Sequence, residues 1–136
     1  MKILLSIILL VSTGSLVSSQ NYIGLSQTKI INRYGKPDFK GGNYLIYFDS
    51  TEEGTNTYFF DEKNNCNSFV LTRTSNYLED YQKRLNKEFT ITFANTYICK
   101  DENFNLKAEL TRSSHQFQIR IAYKDENSFT LAKDEN

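Results

Sequence analysis

The stretch IGLSQTKIINRYGKPDF, Ile23 to Phe39, carries the only proline of a 136-residue chain, two residues after a glycine. Ser26 is a good N-cap, because its side-chain oxygen can accept from a free N–H of the first turn. Ile30, Ile31 and Tyr34 then recur at helical spacing and make one apolar stripe. Gly35 suits the left-handed position just beyond a helix end, and Pro37, which has no N–H to give, prevents a restart. The spacing predicts a short amphipathic helix over 27–34 that turns the chain toward a different kind of structure.

The next segments are strand-like. Tyr44 to Phe48, Thr55 to Phe60 and Ser68 to Arg73 are rich in aromatic and β-branched residues. The breaks between them, DSTEEGTN and DEKNNCN, are the Asp/Asn/Gly clusters of hairpin turns. A second helix is expected from Asn76, with Glu79 three residues on as in a capping box, and with Leu78, Tyr81 and Leu85 as its apolar stripe to about Lys87. Phe89, Ile91 and Phe93 alternate with threonines, and Tyr97 to Cys99 makes a short return. Phe104, Leu106, Ala108 and Leu110 alternate with polar residues, as do Phe117, Ile119, Ile121 and Tyr123. Period-two patterning of this kind puts one face on a core and one in water, the habit of antiparallel sheets. The expectation is an α+β domain of six to seven strands with two helices on one face, in the order α-β-β-β-α-β-β-β-β.

The chain opens MKILLSIILLVSTGSLVSSQ, a lone lysine followed by an apolar run too short to span a bilayer. That is the layout of a signal peptide, 1–19, with Val17 and Ser19 at the small-residue positions before the cut. A single domain over 20–125 and a disordered tail over 126–136 complete the expected organisation, with a secreted or periplasmic destination and no membrane anchor after cleavage. Lys2 leaves with the leader, so 15 basic residues face 16 acidic ones. A nucleic-acid binder needs a basic footprint that this balance lacks. Cys66 and Cys99 would travel to an oxidising compartment, which permits a disulfide between them, with two partly buried thiols as the alternative.

Catalysis needs a nucleophile with a base, or an acid and base of tuned pKa, and metal binding needs clustered ligands. The one histidine, His115, falls in RSSHQ, read as the turn of the last hairpin. The carboxylates gather in turns, and no His/Cys ligand spacing is present. Neither a catalytic set, nor a metal, nor a cofactor is expected. The aromatic strands carry more information: Tyr44 to Phe48 is apolar on both faces, and so is Tyr58 to Phe60. With helices covering one side, some of these rings should be exposed, and grouped exposed aromatics anchor interfaces. The face holding Leu45, Tyr47 and Asp49 is assigned outward. Tyr47, Tyr58 and Phe60 are then the partner-binding candidates, and a two-sided core, covered by the N-terminal segment or a second copy, is the alternative.

Gly24-Leu25-Ser26, Ile30, Tyr34-Gly35 and Pro37, with NYLIYF, TYFF and SFVLTR after them, resemble the motif and first strands of the small outer-membrane assembly lipoproteins and the β-lactamase-inhibitor-protein-like fold. The resemblance spans Gly24 to about Arg73. Two features depart from it: no cysteine stands after the leader for lipidation, and the first strand has tyrosine where the family often has tryptophan. The resemblance implies a scaffold that binds other proteins with its sheet face. The expected function is an exported, non-enzymatic protein-binding module whose partner is a protein of unspecified identity, self-association included. A small ligand-binding protein with a pocket between helices and sheet is the alternative.

Overall fold

The computed structural model describes residues 22–124. The expected leader and the expected tail at 126–136 lie outside the described residues.

Helix α1, Gln27–Tyr34, forms where the sequence places it. The Ser26 side chain accepts from the Lys29 N–H at 3.3 Å, and the Gly35 N–H closes the last turn on Ile31. Gly35 has φ 88°, a value that excludes most side chains. The chain then enters a two-residue strand, β1 (Phe39–Lys40), before β2 (Tyr44–Asp49), β3 (Gly54–Phe60) and β4 (Cys66–Thr74). A 3₁₀ turn, Ser75–Tyr77, leads into α2, Leu78–Glu88. Strands β5 (Phe89–Phe93), β6 (Thr96–Cys99), β7 (Leu106–Arg112) and β8 (Gln116–Tyr123) complete the domain.

The protein is α+β with an antiparallel sheet, and two finer expectations are corrected. The sheet has eight strands among the described residues, in spatial order β1-β2-β3-β4-β8-β7-β6-β5, and four of them precede the second helix. The added strand is β1, which pairs Phe39 with Ile46 and Lys40 with Leu45. Two residues are too few to show a period, so pairing with β2, a tertiary fact, decides that they form a strand. The second correction is at α2, where Asn76 lies in the 3₁₀ turn and the N-cap, Tyr77, makes no side-chain cap bond. Glu79 and Asp80 sit in the first turn of α2, where negative charge meets the positive end of the helix dipole.

Register shows which side chains share a face. Leu45 pairs with Tyr58, Tyr58 with Phe69, Phe69 with Ile121, Ile121 with Ala108 and Ala108 with Tyr97. Paired residues point to the same side, so this row crosses six strands on one face. All six are buried, and Ile30 of α1 with Tyr81 and Leu85 of α2 are buried in the same core. The outward assignment of the Leu45 face is therefore reversed. Leu45 is 0% exposed, Tyr58 4% and Phe60 4%, so Tyr58 and Phe60 are core residues.

Of the two alternatives for the cysteines, the structure has the thiols: Cys66 and Cys99 are both free and buried. Cys66 opens β4 and Cys99 ends β6, with β8 and β7 between them. Three inter-strand spacings come to about 14 Å, twice the Cα separation that a disulfide tolerates. Burial pushes the Cys66 thiol up to about 12 and raises that of Cys99. Titration with a thiol reagent should count two thiols in denaturant without reductant, while Cys66 in the folded protein should react far more slowly, because the thiolate is the reactive form.

Candidate functional site

The space between α1 and the sheet is filled by rings. Tyr58 meets Tyr22, Tyr34, Tyr47 and Phe69 with centroids 5.5, 6.1, 5.8 and 5.1 Å apart. Tyr34 and Tyr22 meet edge to face at 5.3 Å. Tyr47 is half-buried at the rim of this cluster, and its hydroxyl donates to the Gly35 carbonyl at 2.7 Å. Burial, and after it the neighbouring Tyr22 phenol, raises the pKa of both Tyr34 and Tyr58. Burial and then the Asp38 charge raise that of Tyr47. Phenols held neutral and packed ring on ring are core chemistry. They leave the region between α1 and the sheet filled where a ligand pocket was the alternative expectation.

A second cluster ties the β2–β3 hairpin to β4 and α2. The Arg73 side chain is 3% exposed and donates from Nε to Glu52 Oε1 at 2.9 Å and from Nη2 to Asp49 Oδ2 at 3.2 Å. Its Nη1 donates to the carbonyls of Thr55 and Thr72, each at 3.0 Å. The Tyr81 hydroxyl donates to the same Glu52 oxygen, and Arg84 lies over the Tyr81 ring at 4.4 Å while pairing with Asp80 at 2.8 Å. Gly54 makes room for this: a Cβ there would stand 1.9 Å from the Thr72 carbonyl oxygen and 2.8 Å from Arg73. Burial by itself would raise the Glu52 pKa, but the Tyr81 hydroxyl and Arg73 together hold it below the ordinary carboxylate value. The Tyr81 phenol is pushed up to about 12 by burial and by Glu52. Arg73 and Glu52 each engage groups from more than one element, so the cluster latches the hairpin to β4 and α2.

The face opposite the helices is different at its β1–β3 end. Phe39 is 58% exposed and Phe48 57%, and their rings pack edge to face at 5.6 Å. Ile46, Tyr44 and Phe59 share that face by register and are half-buried, with Tyr44 and Phe59 rings 6.2 Å apart. Toward the middle of the sheet the same face closes over: Ser68 and Ala122, paired across β4 and β8, are fully buried. Exposed aromatic rings grouped on one sheet face are the kind of surface that anchors recognition. Sequence reasoning found the aromatic strands but chose the wrong parity. Phe48 and Phe59 alternate with Tyr47 and Tyr58, so both faces of each strand read as apolar.

The remaining expected features are plain. His115 is exposed in the β7–β8 turn, where its carbonyl accepts from the Ser75 N–H at 2.9 Å. Beside it, Thr111, Arg112, Gln116 and Gln118 help line a cavity of about 180 Å³, below the few hundred Å³ of usual ligand sites. No group of three or more His, Cys, Asp or Glu side chains is placed to hold a metal ion among the described residues. At the far edge of the sheet, β5 exposes Ile91 at 54% and Phe93 at 80%.

No family model matches the chain, and no curated protein matches it. Among solved structures, a DUF4309 family protein (YjgB) from Bacillus subtilis subsp. subtilis str. 168 is similar at 9% identity and a TM-score of 0.42, covering 72% of this chain and 78% of that one. A likeness of that size carries no argument, and the function of this chain is read from its own geometry.

Proposed function

We propose that this chain is an exported, non-enzymatic protein-binding module, and that the binding surface is the aromatic end of the sheet face opposite the helices. The observation that carries the reading is the Phe39–Phe48 pair, two large rings more than half exposed and packed on each other beside Ile46, Tyr44 and Phe59. Their mutual packing leaves more than half of each ring in water, whereas an interface places such rings at its centre. The export half of the proposal rests on the leader-like residues 1–19.

Because Phe48 is largely in solvent, Phe48→Ala should change folding stability by no more than about 1 kcal/mol. Capture of extracytoplasmic proteins on the immobilised chain, read by mass spectrometry, should lose its specific partner in Phe48→Ala and in Phe39→Ala. Phe93→Ala, at the opposite edge, is the control and should retain it. Equal retention by all three variants, each shown to be folded by its thermal melt, would sink the reading.

A further inference from the structure

The charges beside the aromatic patch are of one sign. From Lys29 to Lys40 the chain holds four cations, Lys29, Arg33, Lys36 and Lys40, against one carboxylate, Asp38, and all five are exposed. Elsewhere the charges are mixed, as in Asp61-Glu62-Lys63 and Lys100-Asp101-Glu102, and Arg73 and Arg84 have carboxylates of their own. Three of the nearby acids are engaged by the protein's own donors. Asp38 Oδ2 accepts from the Phe48 N–H at 2.7 Å, and Asp49 and Glu52 hold Arg73. Three bonds fix the basic loop on β2: the Asp38 carboxylate to the Phe48 N–H, the Asp38 N–H to the Ile46 carbonyl at 2.9 Å, and, on the helix side, the Tyr47 hydroxyl to the Gly35 carbonyl. Lys36 thus comes directly after a residue tied to Tyr47, and Lys40 adjoins Phe39 and pairs with Leu45 on the helix side of the sheet. Phe39 on one side of β1 and Lys40 on the other, with Lys36 and Arg33 in the exposed segment just before it, put rings and cations at one edge of the sheet.

Resting on the binding-module reading, we infer that the partner is an acidic protein segment carrying large apolar side chains, its apolar groups on Phe39 and Phe48 and its carboxylates toward Lys36, Lys40 and Arg33. Complementary charge of this kind steers encounter and rejects basic competitors. The arrangement favours a protein over an anionic membrane, because the rings lie against the sheet and each other and do not project from a loop tip. It favours a protein over a nucleic acid because Phe39 and Phe48 meet at 62°, edge to face, and offer no pair of parallel stacking platforms.

The test is selection from a displayed library of random peptides on the folded full-length chain, repeated with Phe48→Ala, with Lys36→Glu/Lys40→Glu and with the neutral Lys36→Gln/Lys40→Gln. Wild type should enrich peptides that combine Asp or Glu with aromatic residues. Their affinity should fall about tenfold or more in the charge-reversed variant, fall less in the neutral one, and weaken with added salt. Phe48-dependent peptides with no acidic bias, or indifferent to charge reversal, overturn the inference and leave the binding module standing. If no selected peptide depends on Phe48, both fall. Parallel arms use phosphatidylglycerol vesicles and a polythymidine oligonucleotide: binding to either that is lost on charge reversal, with no acidic peptide enriched, assigns the surface to a membrane or a nucleic acid and overturns the protein partner.

Discussion

Tyr58→Ala is expected to destabilise the protein by about 3–5 kcal/mol, the range for truncating a buried aromatic side chain in a packed core. Tyr58 is 4% exposed and lies at the middle of the ring cluster, against Tyr22, Tyr34, Tyr47 and Phe69. Its removal would leave α1 without the surface it packs on and open a cavity that these rings cannot collapse into without leaving their rotamers. For a domain of this size each kcal/mol moves the melting temperature by about 4–8 °C, so a drop of at least about 12 °C should appear by calorimetry or circular dichroism. Tyr58→Phe, which keeps the ring, should lose only a small part of that. A melting temperature for Tyr58→Ala close to wild type would contradict the inward placement of this face and restore Tyr58 as a surface residue.

The second large effect is at the latch. Glu52→Ala removes the carboxylate that accepts from both Arg73 and Tyr81, leaving a guanidinium that is 3% exposed with Asp49 as its remaining acid. Arg73 keeps Asp49 and the Thr55 and Thr72 carbonyls, so the cost is that of losing one charge-assisted acceptor shared by two donors, about 1.5–3 kcal/mol. The same contact sets a pH dependence. The folded Glu52 pKa lies below its ordinary value, so the stabilisation is fully present above about 4.5 and is lost as pH falls through the folded value. Denaturant titrations at neutral and acid pH should show wild type losing stability over that window and Glu52→Ala losing less. Parallel acid profiles for the two proteins would remove Glu52 from the account. The β2–β3 hairpin should show the change first, since Asp49 ends β2 and Glu52 lies in its turn.

Local chemistry was legible in the sequence wherever the deciding contacts are a few residues apart. Ser26, Gly35 and Pro37 bound α1 at Gln27–Tyr34, because capping and the loss of an N–H act within one turn. Alternation along 106–110 and 117–121 marked β7 and β8 and which of their sides is buried, because only one parity there is apolar; at the end of β8 the pattern breaks, with Ala122 buried and Tyr123 exposed.

Tertiary structure alone decided whatever depends on pairing across distance. In β2 and β3 both parities are aromatic, so periodicity cannot say which side the helices cover. Only the Leu45–Tyr58–Phe69–Ile121 register turns Tyr47 and Tyr58 inward and leaves Phe48 and Phe39 in solvent. The separation of Cys66 from Cys99 arises from β8 entering the sheet between β4 and β7, an insertion that no spacing in the chain encodes. Arg73 ends the strand expected over 68–73, and nothing near it in the chain marks it as buried; the partner that buries it, Glu52, stands 21 residues before it, across a gap that Gly54 keeps open. Helix caps and strand alternation are short-range and survive in the linear text. Face, edge and burial are properties of the assembled sheet, set by which strands find each other once the chain has closed its long loops.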